Sequence, residues 1–173
     1  MSDPRFPRIV YCLLLIMGLL QMAHFYPLLP ERIASHFDAN GTPNGWAPKQ
    51  GFFLLSVIIM LLPTVVLFAG PNLVKTKHPE RINMPNKAYW LAPERAGETQ
   101  RYFRTQMSWF ACAVLFVLLY GTTQAMKANL PDGHFDSTNM FRVIAAFIGF
   151  TVIWSIYFVR RFYRLPQAGS SPN

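Results

Sequence analysis

Charged residues are scarce in this chain. Only 14% of its 173 residues are Asp, Glu, Lys or Arg, whereas a soluble domain usually carries about a quarter. These charges are grouped into blocks that long apolar runs separate, so lipid is expected to cover much of the apolar surface. The composition therefore excludes an ordinary soluble domain, and the length suits a single membrane domain.

Groups that carry familiar chemistry are also missing. The chain has no G-x-S-x-G, H-E-x-x-H or C-x-x-C motif and no glycine-rich phosphate loop after a strand. Cys12 and Cys112 lie inside apolar runs, where they are expected to pack and not to form a disulfide. The interiors of these runs hold no Lys, Arg, Asp or Glu, which disfavours a secondary transporter working alone. The sequence leans against an enzyme without excluding an unfamiliar lipid-active one.

What the chain does have is four apolar runs near the length of about 20 residues that a helix needs to cross a bilayer. Only helices pair all of their backbone polar groups within one segment in lipid. The sequence therefore predicts an all-α membrane protein with four transmembrane helices. Their expected positions are about 9–29, 51–74, 105–126 and 140–159, with an outer cap at 30–50 and a cytoplasmic loop at 75–104.

The basic residues predict the orientation of these spans. Twelve of the 16 Lys and Arg residues fall in the two tails and the middle loop, and four fall in the other two loops. Cytoplasmic segments are enriched in Lys and Arg, so both ends are expected on the cytoplasmic side. Because the basic residues flank apolar runs, the net charge of +8 indicates contact with anionic lipid and not with nucleic acid.

The loop at 30–50 is rich in turn signals and is predicted to be a folded cap. Residues 33–37 can alternate faces as a short extended segment, Asn40-Gly41 indicates a tight turn with positive φ, and 43–45 indicates a second turn. Loops of this length without helices are usually functional when they are ordered. The candidate ligand-binding residues are His36, Asp38, Asn40, Gly41, Pro43, Gly45, Trp46 and Lys49.

Two stretches carry a family resemblance. The first is Y-P-x-L-P-x-x-I-x-x-H-F-x-x-x-G-x-P-x-G-W-x-x-K, which begins at Tyr26, and the second is N-M-P-N-K-A-Y-W-L-A-P-E-R, which begins at Asn83. Together they resemble the bacterial membrane domain of unknown function 1648, the N-terminal domain of Sdp-type immunity proteins. The resemblance implies a multi-pass protein of the bacterial cytoplasmic membrane. In Sdp-type relatives it also implies protection against a membrane-active toxin, with signalling to a cytoplasmic repressor.

A repeated His-Phe-Asp triplet raises the question of a metal site. Both copies fall in outer loops by the orientation argument, and His and Asp are ligands that zinc or another divalent metal accepts. The opposing interpretation is that His and Asp in turn-rich loops bond to nearby backbone. No cofactor is firmly implied, and the candidate metal ligands are His36, Asp38, His134 and Asp136.

The middle loop offers a second candidate surface. Pro93-Glu94 is typical of a helix start, with proline in the first turn and an acid near the positive end of the helix dipole. One interpretation is a basic segment held by anionic lipid, and the other is a docking site for a cytoplasmic partner or a phosphorylated headgroup. The residues of that site are Asn83, Asn86, Lys87, Tyr89, Trp90, Glu94 and Arg95.

Three functions stay open from the sequence. The first is a binding or sensing protein whose outer cap takes a ligand or a toxin-like peptide while the basic loop contacts a partner or lipid headgroups. The second is an accessory subunit of a larger membrane complex, and the third is a metal-assisted enzyme at the outer surface. The resemblance favours the first.

Overall fold

The computed structural model describes residues 5–73 and 82–165, without the side chains of residues 66 and 68–73. Helix α1 (Arg5–Phe25) continues into a short 3-10 turn (Tyr26–Leu28) and leads to strands β1 (Arg32–Phe37) and β2 (Pro43–Pro48). The helices that follow are α2 (Lys49–Leu73), α3 (Lys87–Trp90), α4 (Pro93–Ala128) and α5 (Ser137–Tyr163). Residues 75–81 of the predicted cytoplasmic loop, with Lys75, Lys77 and Arg81, lie outside the described residues.

Among residues 5–73 and 82–165, three helices are long and apolar enough to cross a membrane: Arg5–Leu28, Pro93–Ala128 and Ser137–Tyr163. Large apolar side chains such as Leu20, Leu54 and Val65 are more than 60% exposed on the bundle surface. Exposure of this kind is costly in water and natural in lipid. Both observations indicate a membrane protein. The apolar segment of α2 with described side chains, Lys49–Val65, is shorter.

The structure corrects one part of the predicted architecture. The fold is not purely α, because β1 and β2 form an antiparallel two-stranded sheet. Helix α4 contains the span predicted at about 105–126 and begins before it, at Pro93, so residues 93–104 of the predicted cytoplasmic loop are helical. The apolar pattern marks only the part of α4 that suits lipid, whereas Pro93 and Glu94 mark its real beginning, as predicted from the proline and the acid.

Helices α1, α2 and α4 form the core of the bundle. A Cβ on Gly18 of α1 would overlap the Leu119 side chain of α4 and come within 2.8 Å of Met60 Cε of α2. The small residue therefore permits close approach of the three helices. A hydrogen bond of 2.7 Å between the hydroxyl groups of Tyr11 and Thr64 adds a polar link between α1 and α2.

Helix α5 packs along α4 through aromatic rings. The ring of Trp154 stacks on Phe110 with centroids 4.7 Å apart, and its Nε1 donates to Gln106 Oε1 at 3.1 Å. Phe158 makes an edge contact with Phe103 at 5.0 Å. Phe162 is the buried residue of α5, and none of the helix's most apolar stretch is buried. The helix thus packs against α4 along one side, and the apolar side chains on its other sides are not buried.

Candidate functional site

The cap predicted at residues 30–50 is a hairpin. Residues 33–37 are extended within β1, and Gly41 has a φ of 84°, so both expectations are confirmed. Asp38 Oδ1 accepts hydrogen bonds from the backbone N–H groups of Asn40 and Thr42, which closes the turn. The second turn predicted at 43–45 is wrong, because these residues belong to β2. Register shifts on either side of His36 bend the ladder there.

Asn129, just after α4, holds the free edge of β1. Its Oδ1 accepts from the Ala34 N–H at 2.8 Å, and its Nδ2 donates to the Ala34 carbonyl at 2.9 Å. Nδ2 also donates to the carbonyl of Ala125 at 2.8 Å. One side-chain amide therefore takes the place of a neighbouring strand and attaches the hairpin to α4. Sequence reasoning missed this residue, because an asparagine after a helix usually signals only the helix end.

Lys49, predicted to face a ligand, is buried at the base of the hairpin. Its Nζ donates to the Leu29 carbonyl at 3.0 Å and pairs with Glu31 at 2.8 Å. It also lies 5.0 Å from the centroid of the Tyr26 ring. The lysine thus joins the end of the first helical segment to the start of α2, which is a structural role that the sequence did not predict.

The two His-Phe-Asp triplets meet, but through their phenylalanines. The rings of Phe37 and Phe135 stack with centroids 4.4 Å apart and an interplanar angle of 12°. A Cβ on Gly41 would lie 2.5 Å from the Phe135 carbonyl oxygen, so this glycine permits the approach of the α4–α5 turn. The contact places the hairpin and the α4–α5 turn at one end of the bundle, called here the hairpin end.

The carboxylates of the triplets have local partners. Asp136 caps α5, since its two oxygens accept from the backbone N–H and the side-chain amide of Asn139. The backbone hydrogen bond is the main cause that holds the pKa of Asp136 below its usual range. Among residues 5–73 and 82–165, no three His, Cys, Asp or Glu side chains come together in a way that could hold a metal ion.

A cavity of about 470 Å³ lies between the hairpin, the first turns of α2 and the last turns of α4. We call it the hairpin groove. Its predicted members are His36, Gly45 and Trp46, whereas Asp38, Asn40, Gly41, Pro43 and Lys49 are not part of its lining. No local pattern in the sequence marks its helical walls, since they meet only in the tertiary structure. The remaining lining residues are Ser35, Ala47, Gly51, Phe52, Leu55, Ser56, Ile59, Gly121, Thr122 and Ala125.

Most of the groove lining is apolar, and its polar side chains are Ser35 and His36 on β1, Ser56 on α2 and Thr122 on α4. His36 Nδ1 lies 3.1 Å from the Ser35 hydroxyl. Ser56 and Thr122 donate to carbonyl groups within their own helices. Trp46 is 53% exposed, so its ring is available at the rim. The groove thus suits a mainly apolar ligand with a polar group that reaches the His36 end.

At the other end of the bundle, the stretch predicted to dock a partner closes the C-terminus of α5. Asn86 Nδ2 donates to the carbonyls of Phe162 and Tyr163 at 2.9 and 3.2 Å. Trp90 Nε1 donates to the Phe162 carbonyl at 3.1 Å, and its side chain is buried. These side chains pair carbonyls that a helix end otherwise leaves open. Asn86 and Trp90, two of the predicted docking residues, therefore have internal roles.

The other members of that predicted site are spread around this cap. The Arg95 guanidinium lies 4.0 Å from the centroid of the Tyr89 ring, which is a cation–π contact. Lys87 and Glu94 are exposed, and Asn83 lines a smaller cavity of about 260 Å³ with Met84, Phe103 and Phe162. The structure brings Tyr89 and Arg95 together but does not gather all seven residues into one surface.

Comparison with known protein families matches the segment that contains the hairpin. The family model described as Domain of unknown function (DUF1648) matches residues 13–60. The matched segment runs from α1 through the hairpin into α2, so it contains much of the hairpin groove. No curated protein matches this chain, and no solved structure does. The resemblance to this domain is thereby supported over residues 13–60.

Proposed function

We propose that the chain is a multi-pass protein of the bacterial cytoplasmic membrane, with four spans and the hairpin end facing outward. The bias of twelve basic residues against four supports this orientation. The contact between Phe37 and Phe135 supports the threading of the chain but not its direction, since it requires only that both predicted outer loops lie on one side.

This orientation predicts the reactivity of a cysteine introduced at Asn40. In a C12S/C112S background, the N40C variant should react with a membrane-impermeant thiol reagent in intact cells, because the hairpin turn faces outward. Labelling is measured by the mass or the gel shift of the purified protein. A cysteine that reacts only after the cells are broken open would reverse the orientation.

We further propose that the hairpin groove binds a membrane-active peptide, as the resemblance to Sdp-type immunity proteins implies. The cavity between the hairpin, α2 and α4 is the observation that carries this proposal. It opens where an amphipathic peptide at the membrane surface would arrive, and its apolar walls suit the apolar side chains of such a peptide. The aromatic rim at Trp46 adds contact area at small entropic cost.

Filling the groove tests the proposal. A Cβ on Gly51 meets nothing within 4 Å, so the Gly51→Phe substitution can occupy the cavity without a clash near the backbone. We expect a labelled amphipathic membrane-active peptide to bind this variant about tenfold or more weakly, which corresponds to the loss of about 1.4 kcal/mol of contact. Binding is measured by fluorescence anisotropy in nanodiscs, with empty nanodiscs as the blank.

Gly149→Phe is the matched control. Gly149 lies on α5, it also has open space around its Cβ position, and it is not part of the groove lining. This variant should bind the peptide as the wild type does. Equal affinity of the wild type and Gly51→Phe, or no binding beyond that of empty nanodiscs, would contradict a peptide site in the groove.

A further inference from the structure

A second cleft lies at the end of the bundle opposite the hairpin. It has a volume of about 460 Å³ and is lined by Tyr102, Tyr157, Arg160, Arg161 and Arg164. We propose that this arginine cleft binds the phosphate of an anionic phospholipid, with the acyl chains lying along α5. The site is separate from the hairpin groove and shares none of its lining residues.

The arginine cleft is positively charged. Three guanidinium groups line it, and Glu98 is the carboxylate that pairs with one of them, at 2.6 Å from Arg161. Within residues 5–73 and 82–165, Arg160 and Arg164 form no ion pair. The cleft thus has an excess of positive charge, and guanidinium N–H groups match the oxygens of a phosphate in number and geometry.

Arg161 is ordered by contacts with two aromatic rings. Its guanidinium lies 4.3 Å from the ring centroid of Tyr102 and 5.2 Å from that of Trp90. The terminal carbonyls of α5 are occupied by Asn86 and Trp90, so the arginines are not needed to cap their own helix. A charged group that is ordered before binding loses less conformational entropy when the ligand arrives.

An exposed apolar face of α5 leads to the arginine cleft and indicates that the phosphate belongs to a lipid. Ile153, Tyr157 and Arg160 follow one another at spacings of four and three residues, so they share one face of α5. Ile153 is 59% exposed and Tyr157 is 75% exposed, so this face offers an apolar surface that ends at a phenol and then at arginines. That order matches acyl chain, interface and headgroup along a lipid. A free phosphate would contact only the arginines and would leave the apolar face of α5 uncovered.

The test counts lipids bound to the purified full-length protein by native mass spectrometry during titration with phosphatidylglycerol. We expect phosphatidylglycerol to bind about tenfold or more tightly than zwitterionic phosphatidylcholine. The R160Q/R164Q double variant should bind phosphatidylglycerol roughly 25-fold more weakly, since each basic residue near an anionic surface contributes about a fivefold factor. Arg161 is left unchanged because it packs against two rings.

Controls distinguish the cleft from general basicity and from a folding defect. R142Q removes an arginine at the other end of α5, where Arg142 donates to Asn139, and should bind as the wild type does. R160K/R164K keeps the charge and should stay within about threefold of the wild type. Equal binding by R160Q/R164Q and the wild type, or an equal loss in R142Q, would overturn the site. Displacement of the lipid by inorganic phosphate at the lipid's own concentration would overturn its lipid specificity.

Discussion

Replacing Trp90 with alanine is expected to lower the free energy of unfolding by about 3 to 5 kcal/mol, the range for a buried aromatic residue. The indole is 5% exposed, and its ring lies edge-on to Phe162 with centroids 5.7 Å apart. The substitution removes this packing, the hydrogen bond to the Phe162 carbonyl and the ring beside Arg161. Unfolding in SDS–detergent mixed micelles measures the change.

Two variants separate the causes of that loss. Trp90→Phe keeps an aromatic ring but removes the N–H donor, and it should cost about 1 kcal/mol for the hydrogen bond plus a small packing term. Trp109→Ala is the control, because Trp109 is 37% exposed and contacts Phe6 at the bundle surface. If Trp90→Ala were no more destabilising than Trp109→Ala, Trp90 would not be the residue that stabilises the C-terminal end of α5.

Replacing Asn129 with leucine should cost about 2 to 6 kcal/mol, since it leaves two backbone groups of a buried residue without partners at about 1 to 3 kcal/mol each. Ala34 is 6% exposed, and both its N–H and its carbonyl bond to the Asn129 amide. Leucine has the same number of side-chain heavy atoms in the same branched arrangement, so it removes the hydrogen bonds while keeping the shape of the side chain. Unfolding in mixed micelles gives the total change.

Hydrogen exchange locates the effect of the Asn129 substitution. The Ala34 amide should exchange faster in Asn129→Leu, because the hairpin separates from α4 while α1, α2 and α4 stay packed. Asn44→Leu is the control, since Asn44 is an exposed residue of β2. Unchanged exchange at Ala34 would show that the asparagine does not hold the strand edge.

The helices and the turn chemistry could be predicted from the sequence because they depend on local patterns. Long apolar runs without charge indicated the helices, and Asn40-Gly41 indicated a positive φ that the structure has at Gly41. Pro93 and Glu94 marked the start of α4, and the apolar pattern marked the span expected further along the same helix. Such features involve residues within one or two turns of each other, so neighbouring side chains are sufficient to specify them.

The candidate site was predicted only on its hairpin side. His36, Gly45 and Trp46 line the groove, whereas the walls from α2 and α4 carry ordinary residues such as Phe52, Gly121 and Thr122. The two His-Phe-Asp triplets were predicted as candidate ligands of a shared metal ion. The contact between them in the structure is the stacking of Phe37 on Phe135. Which member of a repeated triplet makes the contact depends on how two distant loops are oriented.

The sequence by itself determined that this is a membrane protein with a folded turn-rich segment after its first helix, because hydropathy and turn propensity act locally. The tertiary structure alone decided which polar groups are used internally. Asn129 pairs with Ala34 across 95 residues. Lys49, a predicted ligand-binding residue, and Trp90, a predicted partner or headgroup residue, both form hydrogen bonds within the fold. A buried backbone group needs a partner wherever the chain brings one within reach, and that position is a property of the packed helices, not of any single segment.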